Sequence, residues 1–186
     1  MQIATDGFRE LSPSEVDAWN EFASTQTRFN RLGEPYTPSG KQLFTECFLN
    51  ILSIGDPGPP VLSMLEGNPN LPSVTMGPPS IGNEAAGLTE LVLLGLSSTY
   101  GDNLVVQATG QMPSSVSNFQ KYFRQIGVFG ITDPLPILTA YTTYFPTTVS
   151  DPVEGNVIGI RVSAVNSDNG LASEWNYAKV AIPAEV

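Results

Sequence analysis

Histidine is missing from this chain altogether. Its absence removes the usual general base at neutral pH and the commonest transition-metal ligand, so serine–histidine and cysteine–histidine chemistries are excluded within the chain. Cysteine occurs once, as Cys47, so no internal disulfide can form. Its place in an apolar helical pattern reads as a small buried hydrophobe. Positive charge is scarce: 8 Lys and Arg stand against 18 Asp and Glu, a net charge of -10. A nucleic-acid groove needs clustered cations and a membrane surface is itself anionic, so neither is an expected partner. No apolar run approaches the ~20 residues needed to span a bilayer. Met1-Gln-Ile-Ala-Thr-Asp-Gly lacks the basic start and apolar stretch of a signal peptide, so no secretion by the general route is expected. Neither G-x-G-x-x-G nor G-x-x-x-x-G-K-[ST] is present to cradle a phosphate.

What remains is a chain of 186 residues with 41% apolar and only 14% charged residues. It is long enough for one domain, or one domain with a small appendage, and its surface is dressed by Ser, Thr, Asn, Gln and Gly. Ser12-Pro13-Ser14-Glu15 starts a helix: Ser12 caps, Pro13 suits the first helical position, and Glu15 reaches back to close a capping box. Val16, Trp19, Phe22 and Ala23 follow at three- and four-residue spacing. A second helix starts near Ser39 with Gln42 in the box position, and places Leu43, Phe44, Cys47, Phe48, Ile51 and Leu52 along one broad face. Gly55 and Pro57 end it. Arg28 to Tyr36 reads as a turn-containing extended connection. Two helices make too small a core to stand alone and are expected to dock on something.

Seven of the 16 prolines fall between Asp56 and Pro79, which rules out helix there and marks a stiff linker. The expected organisation is a helical element at 1–55, a linker at 56–80 and a β-sandwich at 81–186, with Leu71 to Met76 as an edge strand. Beyond residue 85 the pattern turns to strands: Leu88 to Leu96, Leu104 to Thr109, Phe119 to Phe129, Ile137 to Phe145, Val157 to Val165 and Trp175 to Ile182. Tyr100-Gly101-Asp102-Asn103 is read as the turn after the first of these. Ser167-Asp168-Asn169-Gly170 closes a final hairpin, with Asn-Gly as its signal. Short strands at this spacing predict a mainly β chain, an antiparallel sandwich of about seven strands, with a viral-type jelly roll as the alternative topology.

Ile158-Gly-Ile-Arg-Val-Ser-Ala-Val-Asn166, then Ser173-Glu-Trp175 and a last alternating strand, resembles the final two strands of a fibronectin type III domain. The resemblance implies an immunoglobulin-like sandwich. The chain departs from that family in having Ile158 where a tyrosine is usual, and aliphatic residues where a second-strand tryptophan is usual.

Asp151, Glu154, Asp168 and Asn169 offer hard-cation oxygens near strand ends, but only as fragments of a ligand set, and they read first as turn residues. Asp102, Asp133, Asp151, Glu154 and Glu174 carry no motif that ties two of them into an acid–base pair. No catalytic, cofactor or metal site is expected. The candidate contact residues are aromatic: Trp19, Phe22, Phe44 and Phe48 on the helices, and Tyr141, Tyr144, Trp175 and Tyr177 on the expected strands, with Tyr122 nearby. The expectation is therefore a non-enzymatic structural protein. It would be a homo-oligomer or one subunit among others, in a virion such as a phage particle or in an extracellular surface structure. The alternative is a carbohydrate-binding or adhesive module that contacts glycan through the sandwich aromatics.

Overall fold

The computed structural model describes residues 2–30, 32–55 and 71–185. Residue contacts divide the chain into two units, one of Met1–Leu71 with Val165–Ala172, the other of Pro72–Ala164 with Ser173–Val186. Most of the expected linker, residues 56–70, lies outside the described residues.

In the first unit, helices α1 (Gln2–Arg9), α2 (Pro13–Ser24) and α3 (Gly40–Ser53) surround one apolar core, and a short antiparallel pair, β1 (Arg28–Phe29) and β2 (Pro35–Tyr36), joins α2 to α3. Both capping boxes form. The Ser12 amide donates to Glu15 Oε2 at 2.6 Å and the Glu15 amide returns to Ser12 Oγ at 3.4 Å. The Ser39 amide donates to Gln42 Oε1 at 2.8 Å and the Gln42 amide to Ser39 Oγ at 3.3 Å. Each such cap contributes about 1 kcal/mol. The hydrogen bonds from the Ser12 side chain and amide hold the Glu15 carboxyl below its ordinary pKa. Helix α1 is not predicted from the sequence, yet its Ala4 and Phe8 complete the packing around Phe44. The Phe44 ring meets Phe8 and Trp19 edge-on, each at 5.4 Å, and stacks on Phe48 at 6.0 Å.

The same core takes in Leu171 from the far end of the chain. Asn166 organises that segment: its Oδ1 accepts from the amides of Asp168 and Asn169, and its carbonyl from Gly170. Gly170 has φ +70, and a Cβ there would stand 2.2 Å from the Cys47 carbonyl oxygen, so both the turn and the approach to α3 require glycine. Asn50 Nδ2 donates to the Gly170 carbonyl at 2.9 Å. Burial pushes the Cys47 thiol pKa up, which keeps it protonated and inert at neutral pH.

The second unit is mainly β, and all its registered strand pairs are antiparallel. β3 (Ser73–Thr75) pairs with β6 (Ser97–Thr99). β5 (Gly87–Leu93) lies between β4 (Ser80–Glu84) and β9 (Leu135–Pro136). A four-stranded sheet has the order β11 (Asn176–Ala181), β10 (Val157–Val165), β7 (Asn103–Ala108), β8 (Arg124–Gly130). Two short helices, α4 (Leu138–Tyr144) and α5 (Pro146–Ser150), follow β9. Leu88, Leu91 and Leu93 of β5, Leu104 and Val106 of β7, Ile158, Ile160 and Val162 of β10, and Tyr141 of α4 belong to one continuous buried cluster.

Several expectations are corrected here. Ile137 to Phe145 is not a strand: Ile137, Tyr141 and Phe145 recur every fourth residue, and this helical spacing wins over the strand preference of the threonines and tyrosines between them. Phe119 to Phe129 is strand only from Arg124, because Gln120–Tyr122 forms a single 3-10 turn. The strands flanking Tyr100 to Asn103 do not follow one another in one sheet. β6 intervenes, and β5 and β7 belong to different sheets. The edge strand expected at 71–76 is β3, and β10 and β11 pair as the final hairpin, from Val157↔Ala181 to Val162↔Asn176.

Candidate functional site

Alternation along β10 aims Ile158, Ile160 and Val162 into the core and Gly159 and Arg161 to the opposite, outer face of the four-stranded sheet. On β11, Tyr177 stands opposite Arg161 and Lys179 opposite Gly159. Residues 109–123 run over this face and build a small cluster of Phe119, Phe123 and Val157, with Met112 and Val116 against it. Gly159 is what lets Phe119 lie down: a Cβ there would come within 2.9 Å of its ring. Tyr177 packs against Phe119 at 6.3 Å and Phe123 at 5.9 Å between ring centres.

Arg161 is the centre of the arrangement. Its Cζ lies 4.4 Å from the centre of the Phe123 ring and 4.5 Å from that of Trp175. Nε and Nη2 both donate to Gln107 Oε1, at 2.9 and 2.7 Å, and Nη1 donates to Gln120 Oε1 at 2.9 Å. A guanidinium carries five N–H groups, so these three bonds leave one N–H on each terminal nitrogen for another acceptor. Burial lowers the pKa of Arg161 from its ordinary value, but a guanidinium stays charged at any physiological pH. Among the described residues no carboxylate pairs with it. Lys179 Nζ sits 4.2 Å from the centre of the Phe119 ring and donates to the Val116 carbonyl at 3.4 Å.

All four Lys and Arg residues of the second unit, Lys121, Arg124, Arg161 and Lys179, belong to this segment or to these strands. Lys121 lies over the Tyr122 ring at 4.9 Å, and Arg124 donates to the Phe123 carbonyl. In a chain with net charge -10, Arg161 and Lys179 set two cations against aromatic rings on this face.

The residues singled out from the sequence fall into two groups. Trp19, Phe22, Phe44 and Phe48 are buried in the helical core, and Tyr141 is buried in the second unit, where its hydroxyl donates to the Thr109 carbonyl at 2.9 Å. Tyr144, Trp175 and Tyr177 are exposed, at 53%, 41% and 43%. Only Trp175 and Tyr177 meet at the Arg161 ridge. Sequence reasoning missed Arg161 itself, although a lone charge inside the otherwise apolar run Val157–Val165 is a visible signal. Its partners Gln107 and Gln120 lie 54 and 41 residues away and gave none. Among the described residues, no three Asp, Glu or Cys side chains converge as a metal site would require, and no helix is long and apolar enough to cross a membrane.

Compared with protein families, with curated proteins and with solved structures, the chain matches none.

Proposed function

We propose that this chain is a non-enzymatic structural and interaction protein, a self-assembling component of a virion, such as a phage particle, or of an extracellular surface structure. The observation that carries the reading is the Arg161 ridge. Taking a guanidinium partly out of water with only neutral acceptors beside it costs free energy, and a strand that served packing alone would avoid that cost with an uncharged residue. A face that keeps two cations on aromatic rings at the surface is suited to contact with an anionic partner. The assignment to virions rests on fold-level analogy with other sandwich proteins.

The body is read as a fibronectin type III-like sandwich, and strand order supports this. In immunoglobulin-like folds the first, second and fifth strands share one sheet, while the third and the last two share the other. Here β4, β5 and β9 make one sheet, and β7, β10 and β11 lie in the other beside β8. Both sheets contribute to one buried cluster. Light scattering on the purified chain tests assembly: an oligomer or particle is expected, and a stable monomer at high concentration with no partner recovered from the native source overturns the reading.

Glycan contact through the same face is the second reading. It is favoured by the exposed rings of Tyr177 on the edge strand β11 and of Trp175 just before it, beside polar amide groups. A glycan array tests it.

A further inference from the structure

We infer that the ridge is a binding site for a carboxylate-bearing saccharide, with Arg161 receiving the carboxylate and Trp175 and Tyr177 the sugar faces. The inference rests on the second reading above and narrows it to an acidic sugar. Three observations lead there.

The first is the state of Arg161. Gln107 and Gln120 fix the plane of the guanidinium through three hydrogen bonds and leave one N–H on each terminal nitrogen. A guanidinium held in place with donors to spare pairs most strongly with a carboxylate, and its position is set before the ligand arrives. In a chain with 18 acidic residues against 8 basic ones, the lack of a carboxylate partner among the described residues is the second observation. Glu174, the neighbour of Trp175 in sequence, is exposed and does not fill the place. Among the described residues none supplies the negative charge that would complete the site.

The third observation separates a saccharide from a simple anion. Trp175 and Tyr177 are 41% and 43% exposed; Trp175 lies against the guanidinium, and Tyr177 stands opposite Arg161 in the strand register. Flat rings take the C–H face of a sugar, while amide and hydroxyl groups take its polar edge. Lys179, two residues along β11 from Tyr177, adds a second cation for a longer acidic chain. Edge-strand lysines also discourage strand pairing between molecules, and that role alone would account for Lys179. It does not account for Arg161, whose strand is flanked on both sides.

The test is a titration of the full chain, followed by the fluorescence of Trp175, with sialyllactose and an oligogalacturonate as probes. Lactose is the neutral control and oligoglutamate the acidic peptide control. Trp19 is fully buried, so an accessible quench reports Trp175. The acidic saccharides are expected to bind at least about tenfold more tightly than lactose, a difference of about 1.4 kcal/mol. Arg161→Gln should abolish that preference, and Arg161→Lys should recover part of it. Trp175→Leu, read by calorimetry, should weaken binding while leaving the preference for acid, which keeps the test open if the Arg161 variants unfold. No binding of any saccharide at millimolar concentration, equal binding of lactose, tighter binding of oligoglutamate, or a preference unmoved by Arg161→Gln would each overturn the inference. Light scattering on the same ligand-free samples reports assembly separately, so a failure here leaves the assembly reading standing.

Discussion

On one face of the sheet formed by β11, β10, β7 and β8, the side chains of Leu104, Val106, Ala108, Ile126, Ile158, Ile160 and Val162 are at most 4% exposed. On the other, the same strands present Gln107, Arg161, Tyr177 and Lys179. Ile160 and Arg161 are neighbours in sequence and share one backbone, yet the first serves burial and the second presents charge. The outer face is itself partly covered, since residues 109–123 lay Phe119 and Phe123 across it. The contrast is therefore between a face closed by aliphatic packing and one closed by rings that carry cations. Stability should reside in the first and recognition in the second.

The largest expected effect tests the inner face. Ile160→Ala should lose about 2–5 kcal/mol, because a fully buried aliphatic side chain leaves a cavity that its neighbours cannot fill. Urea denaturation measures it, and a loss below about 1 kcal/mol would place the core elsewhere. Gly159→Ala, one residue away and on the outer face, should cost about 1–3 kcal/mol by forcing the Phe119 ring aside. It should also disturb the ridge, so its unfolding midpoint and its saccharide titration should fall together.

A third effect depends on pH. Burial raises the Tyr141 phenol above its ordinary pKa, so the folded chain keeps a proton that the unfolded chain gives up near pH 10. The stability it contributes is complete below that pH and drains as pH rises further, by up to about 1.4 kcal/mol per pH unit. Tyr141→Phe should lose about 1 kcal/mol at pH 7, from its hydrogen bond to Thr109, and should flatten this alkaline decline. Burial raises Tyr177 in the same direction, but its exposure should make Tyr177→Phe the weaker of the two on the same pH series. The smallest effect on stability belongs to Trp175→Ala, expected at about 0.5–1 kcal/mol in thermal unfolding from its contact with the Arg161 guanidinium. If it were as damaging as Ile160→Ala, the division between the two faces would collapse.

What could be read from the sequence was local. Ser12 with Glu15 and Ser39 with Gln42 announce their helices because a capping box spans only four residues, and the β10–β11 pair follows from alternation on either side of residues 166–175. Residues 137–150 misled because threonine and tyrosine favour strands when taken one at a time. Only the fourfold spacing of Ile137, Tyr141 and Phe145, buried or half-buried in the second unit, selects helix. Helix α1 lacks a capping residue and contains Gly7, which hid it, although the four-residue spacing of Ala4 and Phe8 is a helical signal. The candidate site was half legible: Trp175 and Tyr177 stood out as outward aromatics, but their assembly around Arg161 depends on a crossing segment whose path no short-range pattern encodes.

Leu171 and Gly170 give the N-terminal helices an unusual debt to the far end of the chain. Asn50 and the Gly170 it bonds are 120 residues apart. At typical synthesis rates of about 5–20 residues per second, α3 emerges from the ribosome roughly 6–24 s before the segment that caps its core. For that interval the apolar side of the nascent helices lies open to water and to whatever else is near. A chaperone, or a neighbouring nascent copy, has its best opportunity to engage this protein then, and a chain released without its last strands would carry the damage at its first helices.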